Sequence, residues 1–300
     1  MSGYIGRFAP SPTGPLHAGS IVVALASWLD AQSHGGTWII RIEDLDQDRC
    51  VKGTDQVILK QLSDCQLLSS EPVQWQSQRT LGYEATFDQL NQKGFIYPCS
   101  CSRAQIVTQL LESESTDEIG RNRNKIYPGT CRPNCGVTRT PPSPRNVAWR
   151  FKAAAGQIDW TDRRLGPQQQ DVRKEVGDFI IKRADSVWAY QLSVVVDDAL
   201  SGVTHIVRGS DLVDNTARQI QLQRALGYEA PQYLHTQLVL GPNGEKLSKQ
   251  NGATPAMTDR PLECLNAAAQ TLAMQPQNSS VHEALQFWIR QWTDLYCQKV

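Results

Sequence analysis

No stretch of this 300-residue chain approaches the roughly 18 to 20 consecutive apolar residues that a membrane-spanning helix needs. A signal-peptide pattern is missing as well, because the first apolar run, residues 21–29, sits behind proline and glycine. These two absences predict a cytoplasmic protein with no membrane partner. Charge of one sign is also lacking. Thirty Lys and Arg balance thirty Asp and Glu, so no global field marks a nucleic-acid binder, and a DNA partner is not expected. There is no internal repeat, no low-complexity tract and no Walker-type Gly-x4-Gly-Lys-[Ser/Thr] loop.

Cysteine is not scarce. Eight in a cytosolic setting argue for a metal or for inert core thiols rather than disulfides. Cys50, Cys65, Cys264 and Cys297 stand alone, and packing is their default. Cys99-Ser100-Cys101 followed by Cys131-x3-Cys135 has instead the two-plus-two look of a tetrahedral zinc site. The charge balance is uneven locally. From Arg121 to Gln157 there is no acidic residue, while eight Lys and Arg fall there. Two readings stay open for that stretch, a solvated loop region and a basic surface for RNA phosphates.

The most informative segment is Arg7-Phe8-Ala9-Pro10-Ser11-Pro12-Thr13-Gly14-Pro15-Leu16-His17-Ala18-Gly19-Ser20. Its three prolines and two glycines exclude a regular element and preset the backbone path. An apolar helical pattern follows over 20–33. A rigid loop feeding a helix N-terminus is an anion site, since free amides and the helix dipole face the ligand. A short strand at Tyr4-Ile5-Gly6 precedes it, and a strand over 37–42 follows, ending in Glu43-Asp44-Leu45-Asp46. Strand, helix and strand in that order imply parallel pairing, with the carboxylates on the ligand-binding edge of the sheet.

Helices are predicted over 54–68 and 79–94, and the pattern then breaks until about Pro167. Strand-like sequence returns at 178–183 and 187–190, then a helix over 190–199, a strand over 204–209, a helix over 214–226 and a strand over 234–240. The last strand leads into Gly241-Pro242-Asn243-Gly244 and Glu245-Lys246-Leu247-Ser248-Lys249-Gln250. Two ammonium groups three residues apart in a glycine-bounded loop suit the charge that builds on a leaving pyrophosphate. The remainder, 261–300, reads as helical. The expected architecture is an α/β chain. A Rossmann-type parallel-sheet catalytic domain (1–95 and 171–240) carries an inserted zinc-bearing lobe (96–170) and ends in the lysine loop and a short helical C-terminal region (241–300).

In four ordered blocks the chain resembles the class I aminoacyl-tRNA synthetases of the glutamyl branch. The His-x-Gly-x signature stands as His17-Ala18-Gly19-Ser20, and the Lys-Met-Ser-Lys-Ser signature as Lys246-Leu247-Ser248-Lys249-Gln250. Arg41-Ile42-Glu43-Asp44 and Val207-Arg208-Gly209-Ser210-Asp211-Leu212 match two further blocks. The departures are Ser20 in place of a second histidine, Gln250 in place of serine, and an end about fifty residues after Lys249, where full glutamyl-tRNA synthetases continue into an anticodon-reading domain. That shorter plan is similar to the glutamyl-Q tRNA(Asp) synthetase family. The resemblance implies activation of L-glutamate with ATP and Mg²⁺, without tRNA, and transfer to queuosine in the anticodon of tRNA(Asp).

It also implies residue roles. Arg7, Ala9, Ser11, Glu43, Tyr190 and Arg208 would form the glutamate pocket, with Glu43 on the α-ammonium and either Arg7 or Arg208 on the side-chain carboxylate. Pro10, His17, Gly19, Ser20, Lys246 and Lys249 would hold ATP, and His17, Lys246 and Lys249 would act in catalysis. For one structural Zn²⁺ the resemblance gives Cys99, Cys101, Tyr127 and Cys131, whereas spacing gives Cys135 in place of Tyr127. Competing readings are a minimal glutamyl-tRNA synthetase charging a tRNA 3′ end, a catalytically silent RNA-binding relative, and a small nucleotidyltransferase.

Overall fold

The computed structural model describes residues 3–113, 126–133, 147–239, 241 and 254–297. The chain opens on β1 (Ile5–Phe8), α1 (Ala18–Ser33) and β2 (Thr37–Ile42), then α2 (Thr54–Asp64), β3 (Gln74–Trp75) and α3 (Thr80–Gln92). A lobe follows with β4 (Ile96–Cys99), α4 (Arg103–Ser113) and β5 (Ala148–Phe151). The hairpin β6 (Ile158–Asp162) and β7 (Gly166–Gln170) leads through the single turn α5 (Val172–Glu175) to β8 (Phe179–Lys182). Then come α6 (Tyr190–Leu200), β9 (His205–Gly209), α7 (Thr216–Leu226), β10 (Gln232–Thr236), α8 (Pro261–Thr271) and α9 (Val281–Tyr296).

Among the described residues seven strands form one sheet in the order β3-β2-β1-β9-β10-β6-β7, parallel except for the β6–β7 hairpin. The chain leaves β1 toward β2 on one side and later returns to pair β9 on the other. Strand order therefore reverses about β1, and the crevice outside the carboxyl ends at such a point is where ligands bind in open α/β sheets. A smaller antiparallel sheet has the order β4-β5-β8. Strand membership does not follow a division at residues 95 and 170. β6 and β7 extend the main sheet, and β8 completes the small one.

Successive side chains of a strand point to opposite faces, and here they enter different cores. Val207 and Leu234 pack with α1, α2, α8 and α9, while Ile206 and Tyr233 pack with α3, α6 and α7. Helix α1 is buried nearly all round, because the sheet covers one side and α8 and α9 the other. The turn after it needs Gly36, where a Cβ would lie 2.6 Å from the Tyr4 carbonyl oxygen. Among the described residues no helix is long and apolar enough to cross a membrane.

Several elements differ in extent from the sequence expectation. β1 runs on through Phe8, so Arg7 is a strand residue buried between β2 and β9 rather than part of the loop. Residues 187–190 form no strand; Trp188 makes one bridge to Lys182 and α6 then begins. A 3-10 turn (Ser210–Asn215) precedes α7. β10 ends at Thr236, and residues 237–239 line the cleft described below. The C-terminal region divides into α8 and α9, the second started by a Ser280–Glu283 capping box.

Asp30 fastens α9 to this framework. Fully buried on α1, it accepts two bonds from Arg163 (2.7 and 2.8 Å), one from Tyr4 Oη (2.6 Å) and one from Trp292 Nε1 (2.8 Å). Burial opposes its ionisation, yet these donors hold the carboxyl below the usual range. Replacing Asp30 by Ala strands the Arg163 guanidinium. The expected loss is about 3–5 kcal/mol of unfolding free energy, read from urea melts at pH 7.

Candidate active site

The loop after β1 is clamped at several points. Glu43 and Val51 amides donate to the Pro10 and Pro12 carbonyls (3.0 and 2.9 Å). The Gln61 amide brackets Leu16, accepting from its N–H at 2.7 Å and donating to its carbonyl at 3.2 Å. His17 then caps α1, its carbonyl accepting from the Ser20 and Ile21 amides. The Ala18 and Gly19 amides, which precede those bonds, have no acceptor within the helix. Proline prevents the loop from joining the sheet, and the clamps hold it over the carboxyl ends of β1 and β2.

A cleft of about 540 Å³ opens there. Arg7, Ala9, Pro10, Ser11, His17, Gly19, Ser20, Glu43, Tyr190 and Arg208 all line it, so ten of the expected site residues share one cavity. Lys246 and Lys249, expected to complete it, lie outside the described residues. Described residues on either side of them reach the cleft. Val239 lines it, and Pro255 bridges to His17 while the Ala256 amide donates to the Leu16 carbonyl (2.8 Å).

The floor of the cleft is a network of buried charges. Asp198 accepts from Arg41 Nη1 (2.7 Å) and Arg7 Nε (3.1 Å). Burial alone would raise its carboxyl, but those guanidiniums hold it below the usual range. Neighbouring Asp197 accepts from Gln76 and Tyr83 (both 2.7 Å) and from Arg79 (3.1 Å). Glu43 stands at the edge of the cluster, 3.4 Å from Arg41 Nη2. Desolvation pushes its carboxyl up to about 7, a rise that Arg41 and Arg7 only partly offset because Asp198 and Asp197 oppose them.

Arg208 has different company. Its Nε donates to His235 Nε2 (3.0 Å), Nη1 to Gln219 Oε1 (2.7 Å) and Nη2 to Thr216 Oγ1 (2.8 Å). No ion pair reaches it among the described residues. Sequence reasoning missed Arg41, Asp197, Asp198, Asp162 and His235. A signal existed for three of them: a lone arginine in Trp-Ile-Ile-Arg-Ile, and two aspartates in Val-Val-Val-Asp-Asp. Charge inside an apolar run requires buried partners.

A second cluster lies in the lobe. The thiols of Cys99, Cys101 and Cys131 lie within 4.8 Å of one another, Cys101 and Cys131 being 3.5 Å apart. Tyr127 Oη is 3.4 Å from Cys99 Sγ and 3.8 Å from Cys101 Sγ. A tetrahedral ion with metal–sulfur distances of about 2.3 Å requires sulfur–sulfur edges near 3.8 Å, so this donor set fits one metal ion. Arg150 donates to Cys99 Sγ (3.2 Å) and lies 3.7 Å above the Tyr127 ring, a cation beside groups that bind metal as anions. Gly177 lets Tyr127 approach, its Cα having no room for a Cβ beside the Tyr127 carbonyl (2.6 Å). Cys135 lies outside the described residues. Arg132 and Arg150, part of the acid-free stretch, are bound inward to Asp178 and contribute no free basic surface.

Comparison with known proteins gives a consistent picture. A family model described as the catalytic domain of class I tRNA synthetases (E and Q) matches residues 5–264. The glutamyl-Q tRNA(Asp) synthetase of Albidiferax ferrireducens is 52% identical, over 96% of this chain and 98% of that relative. The protein of the same name from Leptothrix cholodnii is 49% identical, over 96% and 97%. A crystal structure of a glutamate tRNA ligase from Elizabethkingia meningosepticum, in complex with its amino acid, superposes with a TM-score of 0.70 at 26% identity. It is matched over 84% of this chain and 53% of its own, so the present chain spans about half its length.

The raised Glu43 carboxyl has a thermodynamic consequence. Between about pH 4.5 and 7 the folded protein holds a proton that the unfolded chain has released, so this group's contribution to stability falls as pH rises through that window. Glu43→Gln removes that fall. Urea midpoints of wild type and variant at pH 5, 6, 7 and 8 should diverge in the variant's favour as pH rises; parallel curves would refute the assignment.

Proposed function

Because this chain belongs to the class I tRNA synthetases of the glutamate and glutamine type, and is a ligase, we propose that its cleft activates glutamate. It joins glutamate and ATP as glutamyl-adenylate without tRNA, then passes the glutamyl group to the queuosine base in the anticodon of tRNA(Asp). The observation that carries this reading is the cleft's polarity. One end is a helix N-terminus suited to phosphates, and the other combines Glu43 with the guanidiniums of Arg7 and Arg208. That is the complement of an amino acid with a second carboxylate.

Pro10, Gly19, Ser20 and the His17 ring hold the nucleotide where the first-turn amides of α1 face its phosphates. Glu43, as a carboxylate, receives the α-ammonium, and Ala9, Ser11 and Tyr190 close the pocket around the substrate. Arg208 takes the side-chain carboxylate in preference to Arg7, whose charge is already paired with the Asp198 carboxylate, whereas the partners of Arg208 carry no negative charge. The glutamate α-carboxylate oxygen attacks the α-phosphorus of ATP, and the bond to the bridging oxygen breaks as pyrophosphate leaves. Lys246 and Lys249 neutralise the charge gathering on it. A Mg²⁺ ion bound with the nucleotide would supply shielding of its phosphate charge. A hydroxyl of the RNA acceptor then attacks the adenylate carbonyl carbon, and AMP departs. No general base is assigned, so catalysis is positioning and electrostatics.

Cys99, Cys101, Tyr127 and Cys131 hold one structural zinc ion in the lobe, which supplies a fixed cross-link between the β4 end and the 126–133 segment. The expected result is one zinc per chain, lost in Cys131→Ala and kept in Cys135→Ala. Loss of stoichiometric zinc from Cys135→Ala would remove Tyr127 from the ligand set.

The activity itself is tested by two assays. ATP–pyrophosphate exchange should require glutamate and no tRNA, and Lys249→Ala should lower its kcat by about 10²-fold. Labelled glutamate should appear on tRNA(Asp) only when it carries queuosine. Label on the 3′ end of tRNA(Glu) would make the chain a minimal glutamyl-tRNA synthetase; RNA binding with no exchange would make it a silent relative.

A further inference from the structure

We propose that His235 and Asp162 are positioning residues that aim Arg208 at the substrate's side-chain carboxylate and so set the preference for glutamate over glutamine. This rests on the reading of Arg208 given above and adds the device behind it. Arg208, His235 and Asp162 lie on three neighbouring strands. Arg208 and His235 are direct register partners in β9 and β10, and Asp162 ends β6 next door. All three are buried, at 3%, 0% and 1% exposure.

The chemistry of the chain of bonds fixes its protons. Arginine only donates, so the Arg208 Nε bond at 3.0 Å requires a bare His235 Nε2. The proton of the neutral ring is then on Nδ1, which donates to Asp162 Oδ2 at 2.6 Å. Asp162 is itself held by the turn between β6 and β7, its Oδ1 accepting from the Arg164 and Leu165 amides (3.0 and 2.8 Å). The carboxylate thus stands one imidazole away from the guanidinium and does not occupy it.

That spacing has a function. Of the five Arg208 donors, His235, Gln219 and Thr216 take one on each nitrogen, leaving one N–H on each Nη. A carboxylate accepts from two guanidinium nitrogens in a bidentate pair. A carboxylate directly on Arg208, as Asp198 is on Arg7 and Arg41, would offset its charge. A glutamine amide offers only one oxygen and sets its own N–H donors against the second Arg208 N–H, so discrimination depends on the angle at which the fork is held.

The test is glutamate- and glutamine-dependent ATP–pyrophosphate exchange on the full chain, with thermal unfolding as control. His235→Leu should raise the glutamate KM by about tenfold or more and lower the glutamate-to-glutamine ratio of kcat/KM similarly, with the ATP KM within twofold. His235→Gln, which can place an amide oxygen at the Nε2 position, should recover the glutamate KM to within about threefold. Asp162→Asn, which frees the other tautomer, should behave as His235→Leu, and it decides if His235→Leu does not fold. An unchanged glutamate KM and ratio in these variants, or a common rise in both KM values that tracks the melting temperature, overturns the proposal. Arg208→Lys separates the two levels: if it spares the glutamate KM, the reading of Arg208 itself fails; if it alone raises it, only the positioning role fails.

Discussion

The structure of the cleft depends on where buried positive charge finds its counter-charge. Asp198 accepts from both Arg7 and Arg41, and through them α6 is tied to β1 and β2 at the reversal point of the sheet. Removing charged groups from water is costly, and only close, well-bonded partners offset it. The Asp198 cluster meets that demand internally, since Arg7, Arg41 and Arg79 face Asp197, Asp198 and Glu43. Arg208, on the neighbouring strand β9, does not. Its three acceptors are neutral, and its positive charge is left directed at the cavity.

The same accounting explains why Glu43 differs from the aspartates behind it. Asp198 has two guanidinium donors, at 2.7 and 3.1 Å, whereas Glu43 has a single long bond from Arg41 at 3.4 Å and feels two neighbouring carboxylates. It is the carboxyl in the group with unmet demand for a cation. Two incompletely answered groups of opposite sign therefore line one cleft whose far end is a helix N-terminus. An amino acid carrying an ammonium at one end and a carboxylate on its side chain satisfies both at once, and this complementarity is stronger evidence than cavity size alone.

Much of this was legible in the sequence. The proline-rich loop, His17 at the helix start, the carboxylate after β2 and Arg208 at the end of β9 were all readable, because each sits at a junction where element type changes. What escaped were partners contributed by element interiors. Asp197 and Asp198 sit inside an apolar helix, and their role emerges only when α6 is laid across β1 and β2. His235 looks like an ordinary strand residue until its register with Arg208 is known. The weak periodicity of the β6–β7 hairpin makes it resemble part of the lobe in sequence, and its half-exposed, polar edge strand explains that weakness. Local pattern reads junctions well, but it cannot show which strands of a parallel sheet become neighbours.

Asp178 ties the lobe's cysteine cluster to the small sheet by the same logic. It accepts from Tyr97 Oη (2.6 Å), Arg132 (2.9 Å) and the Ala153 amide (2.8 Å), and its own carbonyl accepts from Arg150. Arg150 in turn donates to Cys99 Sγ. The thiols are thus joined to the strand pair β5 and β8 through an arginine that bridges a thiol sulfur and a backbone carbonyl. Arg150 cannot serve an RNA phosphate while it does this, and Arg132 is equally engaged. The acid-free composition of that stretch therefore overstates the charge free to meet nucleic acid, since part of it is consumed in holding the cysteine cluster. Composition counts charges, but the surface field depends on which of them remain unpaired after folding.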